Sequence, residues 1–141
     1  MARILVIDDD EELLDIYRIV LESHAHTVET VAAGDRAVEA TCRFHPDLIV
    51  LDWMMPGMSG DVVFNRLRNS SARCTPVLMV SALDGANAAS RLVGADGFLA
   101  KPFEVDELEL AITELLAGKS SARPRAPSDD GVATRTVRPI P

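Results

Sequence analysis

Leu48-Ile49-Val50-Leu51-Asp52-Trp53-Met54-Met55-Pro56-Gly57 decides the fold of this chain. Four apolar residues, without polar alternation, run directly into a carboxylate and then into a turn. A strand buried on both faces of a parallel sheet reads this way, because covering helices leave it no solvent face. Ile4-Leu5-Val6-Ile7 repeats the pattern and ends in Asp8-Asp9-Asp10. Carboxylates at the ends of two such strands fall together at the carboxyl edge of the sheet, where open α/β folds place their sites. Crowded anions repel one another unless a cation joins them or one takes a proton. The cluster points to a hard metal ion, to phosphoryl chemistry, or to both.

The remaining elements follow from periodicity. Glu11 to about Ser23 places Leu13, Leu14, Tyr17, Val20 and Leu21 on one helical stripe, with Asp9 or Asp10 as its cap. Thr27 to Val31 predicts a second strand. Gly34 opens a helix through Ala37, Val38, Cys42 and Phe44, stopped before Pro46. A helix from Asp61 turns Val62, Val63 and Leu67 inward. Pro76 to Val80 forms a fourth strand with Ser81-Ala82 at its end, and residues 86–93 form a short helix. Gly97 to Ala100 is a fifth strand, ending in Lys101-Pro102. The last helix runs from about Glu104 to Leu116, with Leu108, Ala111, Ile112 and Leu115 inward and Gly118 as its stop. Five strands alternating with five helices imply right-handed crossovers and a parallel α/β sheet covered on both faces.

The length of 141 residues fits one domain, and 48% apolar with 26% charged residues is ordinary for a soluble globular protein. No segment has the length of a membrane span, and the start is not a signal peptide, so the expected location is the cytoplasm. Cys42 and Cys74 lack metal-ligand spacing and are expected as buried or half-buried thiols. Charge is unevenly spread. Residues 119–141 carry a net +3 and the first 118 residues a net −11. The tail has Pro, Arg and Ser without apolar periodicity, so residues 1–118 form the domain and 119–141 a disordered tail or linker. So negative a domain disfavours nucleic acid and anionic membrane, and suits a divalent cation or a basic protein partner.

Taken singly, each polar strand end has a plain structural reading. Asp8 to Glu12 caps a helix, Asp52 opens a turn, Ser81 caps a helix and Lys101 is a solvated lysine. Their coincidence carries the functional reading. Asp8, Asp9 and Asp52 offer oxygens to magnesium, Ser81 a hydroxyl donor, and Lys101 a compact cation for phosphoryl oxygens. Of the nine basic residues before position 119, eight are Arg and only Lys101 is Lys. A generic surface charge in so Arg-biased a chain would be Arg.

Ile4–Asp10, Asp47–Gly60, Val80-Ser81-Ala82 and Lys101-Pro102-Phe103, in this order, make residues 3–117 resemble the receiver domains of bacterial two-component response regulators. The resemblance implies a doubly wound, flavodoxin-like sheet in the order 2-1-3-4-5. It implies that Asp52 is the phosphoacceptor, and that Asp8, Asp9, Asp52 and the Met54 backbone carbonyl hold Mg2+, with Mn2+ as a substitute. Ser81 would be the switch hydroxyl, Phe98 the aromatic switch residue and Lys101 the phosphoryl-binding cation, aimed by a cis bond into Pro102. The implied donor is a sensor histidine kinase or a histidine phosphotransfer protein. The output protein would be met through residues 84–117, without direct contact to nucleic acid or membrane. Chemistry would be limited to self-catalysed aspartyl phosphorylation and dephosphorylation, so the chain would not be an enzyme in the ordinary sense.

Departures from the family pattern carry their own expectations. Ser81 and Lys101 are separated by slightly fewer residues than expected, which trims the fourth helix or its loop. Phe98 lacks the hydroxyl of the tyrosine often found there. The last helix lacks the arginines of a charged dimer face, and the 24 residues after Ala117 are too few for a DNA-binding module, so a stand-alone switch is expected. The alternatives are a receiver cut from a longer regulator, and a haloacid-dehalogenase-like phosphatase with Asp8 as nucleophile and Asp10 as acid/base.

Overall fold

A computed structural model of the chain describes residues 1–82 and 94–120. Strands β1 (Arg3–Ile7), β2 (Thr27–Val31), β3 (Leu48–Asp52), β4 (Val77–Ser81) and β5 (Gly97–Ala100) form one parallel sheet in the order β2-β1-β3-β4-β5. Helices α1 (Glu11–Ser23), α2 (Ala37–Phe44), α3 (Gly60–Arg68) and α4 (Val105–Ser120) connect or follow them. The expected strand order is found. Of the five expected helices four lie among the described residues; the one expected over 86–93 falls outside them, as does the tail from residue 121.

Side chains alternate along a strand, so each strand feeds two cores. Ile4, Val6, Leu48, Val50, Leu78 and Val80 pack with Leu14, Tyr17 and Leu21 of α1 and Leu108, Ala111 and Ile112 of α4. Leu5, Ile7, Ile49, Leu51, Val77 and Met79 pack on the other side with Ala37, Ala40 and Phe44 of α2 and Val63, Phe64 and Leu67 of α3. Central strands with no solvent face explain why their sequences show no polar alternation. The same alternation, carried past the strand ends, puts Asp8 and Asp52 on the α1/α4 side, and Ser81 on the α2/α3 side.

Local chemistry sets the helix ends. Asp10 is the N-cap of α1, its Oδ1 accepting from the N–H groups of Glu12 at 3.1 Å and Leu13 at 3.2 Å. At the other end, the N–H groups of Ala25 and His26 donate to the carbonyls of Glu22 and Leu21, with Ala25 at φ 70°. Such a left-handed closing turn is one that glycine fills more cheaply.

Four sequence expectations change. The second helix opens as a single 3-10 turn, Gly34–Arg36, before α2 begins at Ala37. The buried face of α2 is Ala37, Ala40, Thr41 and Phe44, which leaves Cys42 on its outer side; both Cys42 and Cys74 are exposed, not buried. In α3 the side chain turned inward beside Val63 is Phe64, while Val62 is exposed. Finally, α4 runs through Gly118 to Ser120. Glycine inside a helix costs about 1 kcal/mol relative to alanine. It ends the helix only when it takes a left-handed φ, which Gly118 does not.

One glycine has no room for a side chain. A Cβ on Gly60 would stand 2.7 Å from the Trp53 Cα and 2.9 Å from the Asp52 carbonyl oxygen. Its N–H donates to the Trp53 carbonyl at 2.7 Å. The start of α3 is thus pressed against the backbone that carries Asp52. Gly60→Ala is expected to destabilise the fold by about 1–3 kcal/mol, the range of an overpacked site. Urea denaturation of the two proteins checks this; equal midpoints would contradict the close approach.

Candidate functional site

The carboxyl ends of β1, β3, β4 and β5 converge on three carboxylates and one lysine. One oxygen from each of Asp8, Asp9 and Asp52 lies within 4.8 Å of the others. Asp8 and Asp52 are buried, at 1% and 4% exposure, and Asp9 is exposed. Lys101 Nζ lies 3.2 Å from Asp8 Oδ2 and 3.5 Å from Asp52 Oδ1. Its backbone is anchored at this edge by the Lys101 N–H, which donates to the Ser81 carbonyl at 2.9 Å; the Lys101–Pro102 bond is cis.

Backbone donors complete the frame. Asp8 Oδ1 accepts from Asp10 N–H at 2.9 Å, so the turn into α1 fixes this carboxylate. Asp52 Oδ1 accepts from Met54 N–H at 3.4 Å. Burial, then the neighbouring Asp8 charge, pushes the Asp52 carboxyl up to about 6, against the opposing pull of Lys101 and of the Met54 N–H. One ammonium near two buried carboxylates leaves negative charge uncompensated. An all-oxygen donor set of this kind, open on the Asp9 side, fits a hard divalent ion such as magnesium better than a soft one.

Every residue singled out from the sequence lies at or beside this edge. Ser81 is buried at the end of β4 and pairs in register with Ala100 of β5. Phe98, 4% exposed, belongs to the α2/α3 core. It therefore lies across the sheet from the face that carries Asp8 and Asp52. Met54 reaches the site by its backbone, while its side chain is exposed. Of the residues 84–117 expected to meet an output protein, 84–93 lie outside the described residues. The rest bring Val105 and Leu110 of α4 to the surface.

Two contributions were missed in the sequence. Gly60 has no part in the site as read from the sequence, although a glycine just before an apolar helix and eight residues after Asp52 is a cue to close backbone approach. Tyr17 was read only as one of the stripe of α1. Its phenol is the polar group in an otherwise apolar stripe, and its ring lies 5.8 Å from that of Phe103, just past the cis bond.

Comparison with known proteins agrees with this geometry. The family model described as the response regulator receiver domain matches residues 4–113. The chain is 40% identical over 111 residues to the transcriptional regulatory protein TcrA of Mycobacterium tuberculosis, a match covering 76% of this chain and 43% of that protein. It is 37% identical over 119 residues to the DNA-binding dual master transcriptional regulator RpaA of Synechocystis, covering 82% and 49%. Among solved structures, the receiver domain of Francisella response regulator 1452 superposes with a TM-score of 0.76 at 30% identity, covering 83% of this chain and 98% of that one. The chain spans about half the length of the curated relatives it matches.

The raised carboxyl of Asp52 fixes the sign of a pH effect. The folded state keeps this proton up to about 6, whereas an unfolded aspartate releases it near ~4. The folded protein therefore holds the extra proton between those values, and its stability falls as pH rises through that window. The shift corresponds to at most ~3 kcal/mol. Asp52→Asn, which cannot ionise, is expected to melt above the wild type near pH ~8 in metal-free buffer and to lose that advantage near pH ~4. Thermal melts at the two pH values check it; an advantage that grows in acid would reverse the assigned sign.

Proposed function

The chain belongs to the family of response regulator receiver domains, and from that premise we propose that Asp52 is the phosphoacceptor of a two-component signalling switch. Receiver domains are signalling switches of two-component systems and not classical enzymes. The observation that carries the assignment to Asp52 is its place in the cluster. It is the buried carboxylate at the end of the central strand, within reach of both Lys101 and the other two acids.

The geometry supports the following chemistry. Both described hydrogen bonds to Asp52 fall on Oδ1, from Lys101 and from Met54, so Oδ2 attacks. A phosphohistidine of a histidine kinase or phosphotransfer protein, or a small acyl phosphate, presents its phosphorus in line with Oδ2. The new O–P bond forms as the donor's N–P or O–P bond breaks, and the donor's leaving group keeps the electron pair. Asp8, Asp9, Asp52 and the Met54 carbonyl would hold magnesium, or manganese in its place, which would supply charge neutralisation for the phosphoryl oxygens. Lys101 moves from its ion pair to those same oxygens. Water later attacks the mixed anhydride and restores the carboxylate, so the signal is transient.

Ser81 and Phe98 make the readout. The Ser81 hydroxyl turns to the new phosphoryl oxygens, and Phe98 takes up the space this opens on the α2/α3 side. The result is a two-state element biased by local charge. The changed surface, within residues 84–117, meets an output protein. Val105 and Leu110 offer it apolar contact.

We place residues 1–118 as the phosphoacceptor domain, its last helix running on to Ser120, and the rest of 119–141 as a tail or linker, with the cytoplasm as its location. No described helix is long and apolar enough to cross a membrane. A second reading, in which this receiver works within a longer regulator, is favoured by one observation. The matches to TcrA and RpaA cover less than half of each relative.

Two outcomes test the assignment. Incubation with acetyl phosphate and magnesium is expected to add one phosphoryl mass to the wild type and none to Asp52→Asn, read by intact-mass spectrometry. An undiminished adduct on the Asn variant overturns the choice of Asp52. Lys101→Arg is expected to lower the phosphoryl yield toward that of Lys101→Ala despite its retained charge. A planar guanidinium cannot make the compact contact that an ammonium makes between two carboxylates. A wild-type yield from the Arg variant would show that only charge is needed there.

A further inference from the structure

Tyr17 carries a buried polar group for which the proposed switch has no role. It is 1% exposed, and among the described residues its hydroxyl makes no hydrogen bond. Buried hydroxyls ordinarily find a protein or water partner, because the water they lose must be replaced. A phenylalanine would fill the same ring space without that cost, so the hydroxyl asks for a reason.

The direction of the side chain supplies one. α1 begins at the carboxyl edge, where Asp10 caps it, and runs back along the sheet. Long side chains on a helix lean toward its N-terminus. The phenol of Tyr17 therefore leans up toward the carboxylates, from the same side of the sheet on which Asp8 and Asp52 lie. Burial, and then the negative charges of Asp8 and Asp52, push this phenol well above its ordinary range, so it stays a hydrogen-bond donor at working pH. Its ring also packs against Phe103, two residues beyond Lys101.

We propose that Tyr17 is a positioning residue for phosphoryl transfer, its buried hydroxyl giving a hydrogen bond, through one buried water, to the Asp8/Asp52 carboxylate pair from beneath. The acceptor capacity exists, since each carboxylate oxygen takes two donors. Among the described residues, Asp8 Oδ1 accepts from the Asp10 N–H and Asp8 Oδ2 from Lys101, one donor each. A donor from below holds the inner lone pairs. The outer ones then face the ion and the phosphodonor, and Lys101 is released to the phosphoryl group without leaving the carboxylates bare. This inference rests on Asp52 being the phosphoacceptor.

The test removes only the oxygen. Tyr17→Phe keeps the ring and its contact with Phe103. It is expected to stay folded, yet to be phosphorylated by acetyl phosphate about tenfold more slowly at saturating donor, with the donor KM unchanged; tenfold corresponds to about 1.4 kcal/mol of transition-state stabilisation. A purely structural tyrosine would leave that rate alone. Because Tyr17 is the only tyrosine of the chain, replacing it with 3-fluorotyrosine gives one fluorine resonance and a slightly stronger donor. That protein should be phosphorylated at least as fast as the wild type, and its resonance should move on adding magnesium and again on phosphorylation.

A folded Tyr17→Phe with the wild-type rate overturns the inference, whatever the resonance does. If Tyr17→Phe does not fold, a resonance indifferent to both additions overturns it and a moving one supports it. Asp52→Asn run in parallel separates the two readings. Should the wild type carry its phosphoryl group elsewhere, the phosphoacceptor assignment fails. Should it carry it on Asp52 while Tyr17→Phe matches it, only the role of Tyr17 fails.

Discussion

Two buried carboxylates facing one lysine are the constraint around which this molecule is organised. Asp8 and Asp52 sit at the ends of the two central strands, almost without solvent, and Lys101 Nζ reaches both. An isolated buried carboxylate is costly, and a pair more so, because one ammonium cannot neutralise two anions. The apo site therefore holds stress that protonation of Asp52 or an added cation relieves. The same imbalance that lowers apo stability would favour a divalent ion and, on the proposed assignment, a phosphoryl group, whose arrival would change the charge by whole units; function and instability would then share one cause.

The alternation of strand side chains distributes the consequences. Asp8 and Asp52 extend the face packed on α1 and α4, whereas Ser81 and Phe98 extend the face packed on α2 and α3. A charge placed on Asp52, as proposed, would therefore border both layers, with Tyr17 and Phe103 on one side and Ser81 and Phe98 on the other. The link across is the backbone of β4 and β5, where Lys101 N–H holds the Ser81 carbonyl at 2.9 Å. A sheet buried on both faces is stiff, so a change at its edge is expressed in the loops and helix starts and not in the strands.

Much of this was legible in the sequence, for a physical reason. Strands without solvent faces must be uniformly apolar, so an acid at the end of each run is conspicuous; Asp8 and Asp52 announce themselves against Ile4–Ile7 and Leu48–Leu51. The stripe of α1 was equally clear, because Glu11, Glu12, Asp15 and Glu22 mark its outer face even though Ile16 and Ile19 are exposed there too. The failures fall where apolar residues outnumber buried positions. In α3, Val62, Val63 and Phe64 are consecutive, and only the crossing angle on the sheet decides that Phe64 is buried and Val62 is not. Cys42 is a small apolar side chain on a short helix whose buried arc was already filled by Ala37, Ala40, Thr41 and Phe44. Gly118 was read as a stop, but a glycine ends a helix by its φ, which sequence does not state. Tyr17 is the instructive case. Its ring obeyed the stripe, and that agreement hid its hydroxyl.

The competing chemistry, a phosphatase that turns over phosphoesters through Asp8, fails on the role of a third aspartate. Such an enzyme needs Asp10 as a mobile acid/base, first protonating a leaving group and then activating water. Here the Asp10 side chain is engaged: its Oδ1 accepts from two backbone N–H groups as the N-cap of α1, and its own N–H fixes Asp8. Moving its side chain to serve a substrate would leave the Glu12 and Leu13 N–H groups of the first turn of α1 without their cap. The carboxylate nearest to Asp8 in the chain that could serve as that acid/base is thus committed to structure, and on the proposed assignment a mixed anhydride on Asp52 would find no such mobile acid/base in Asp10.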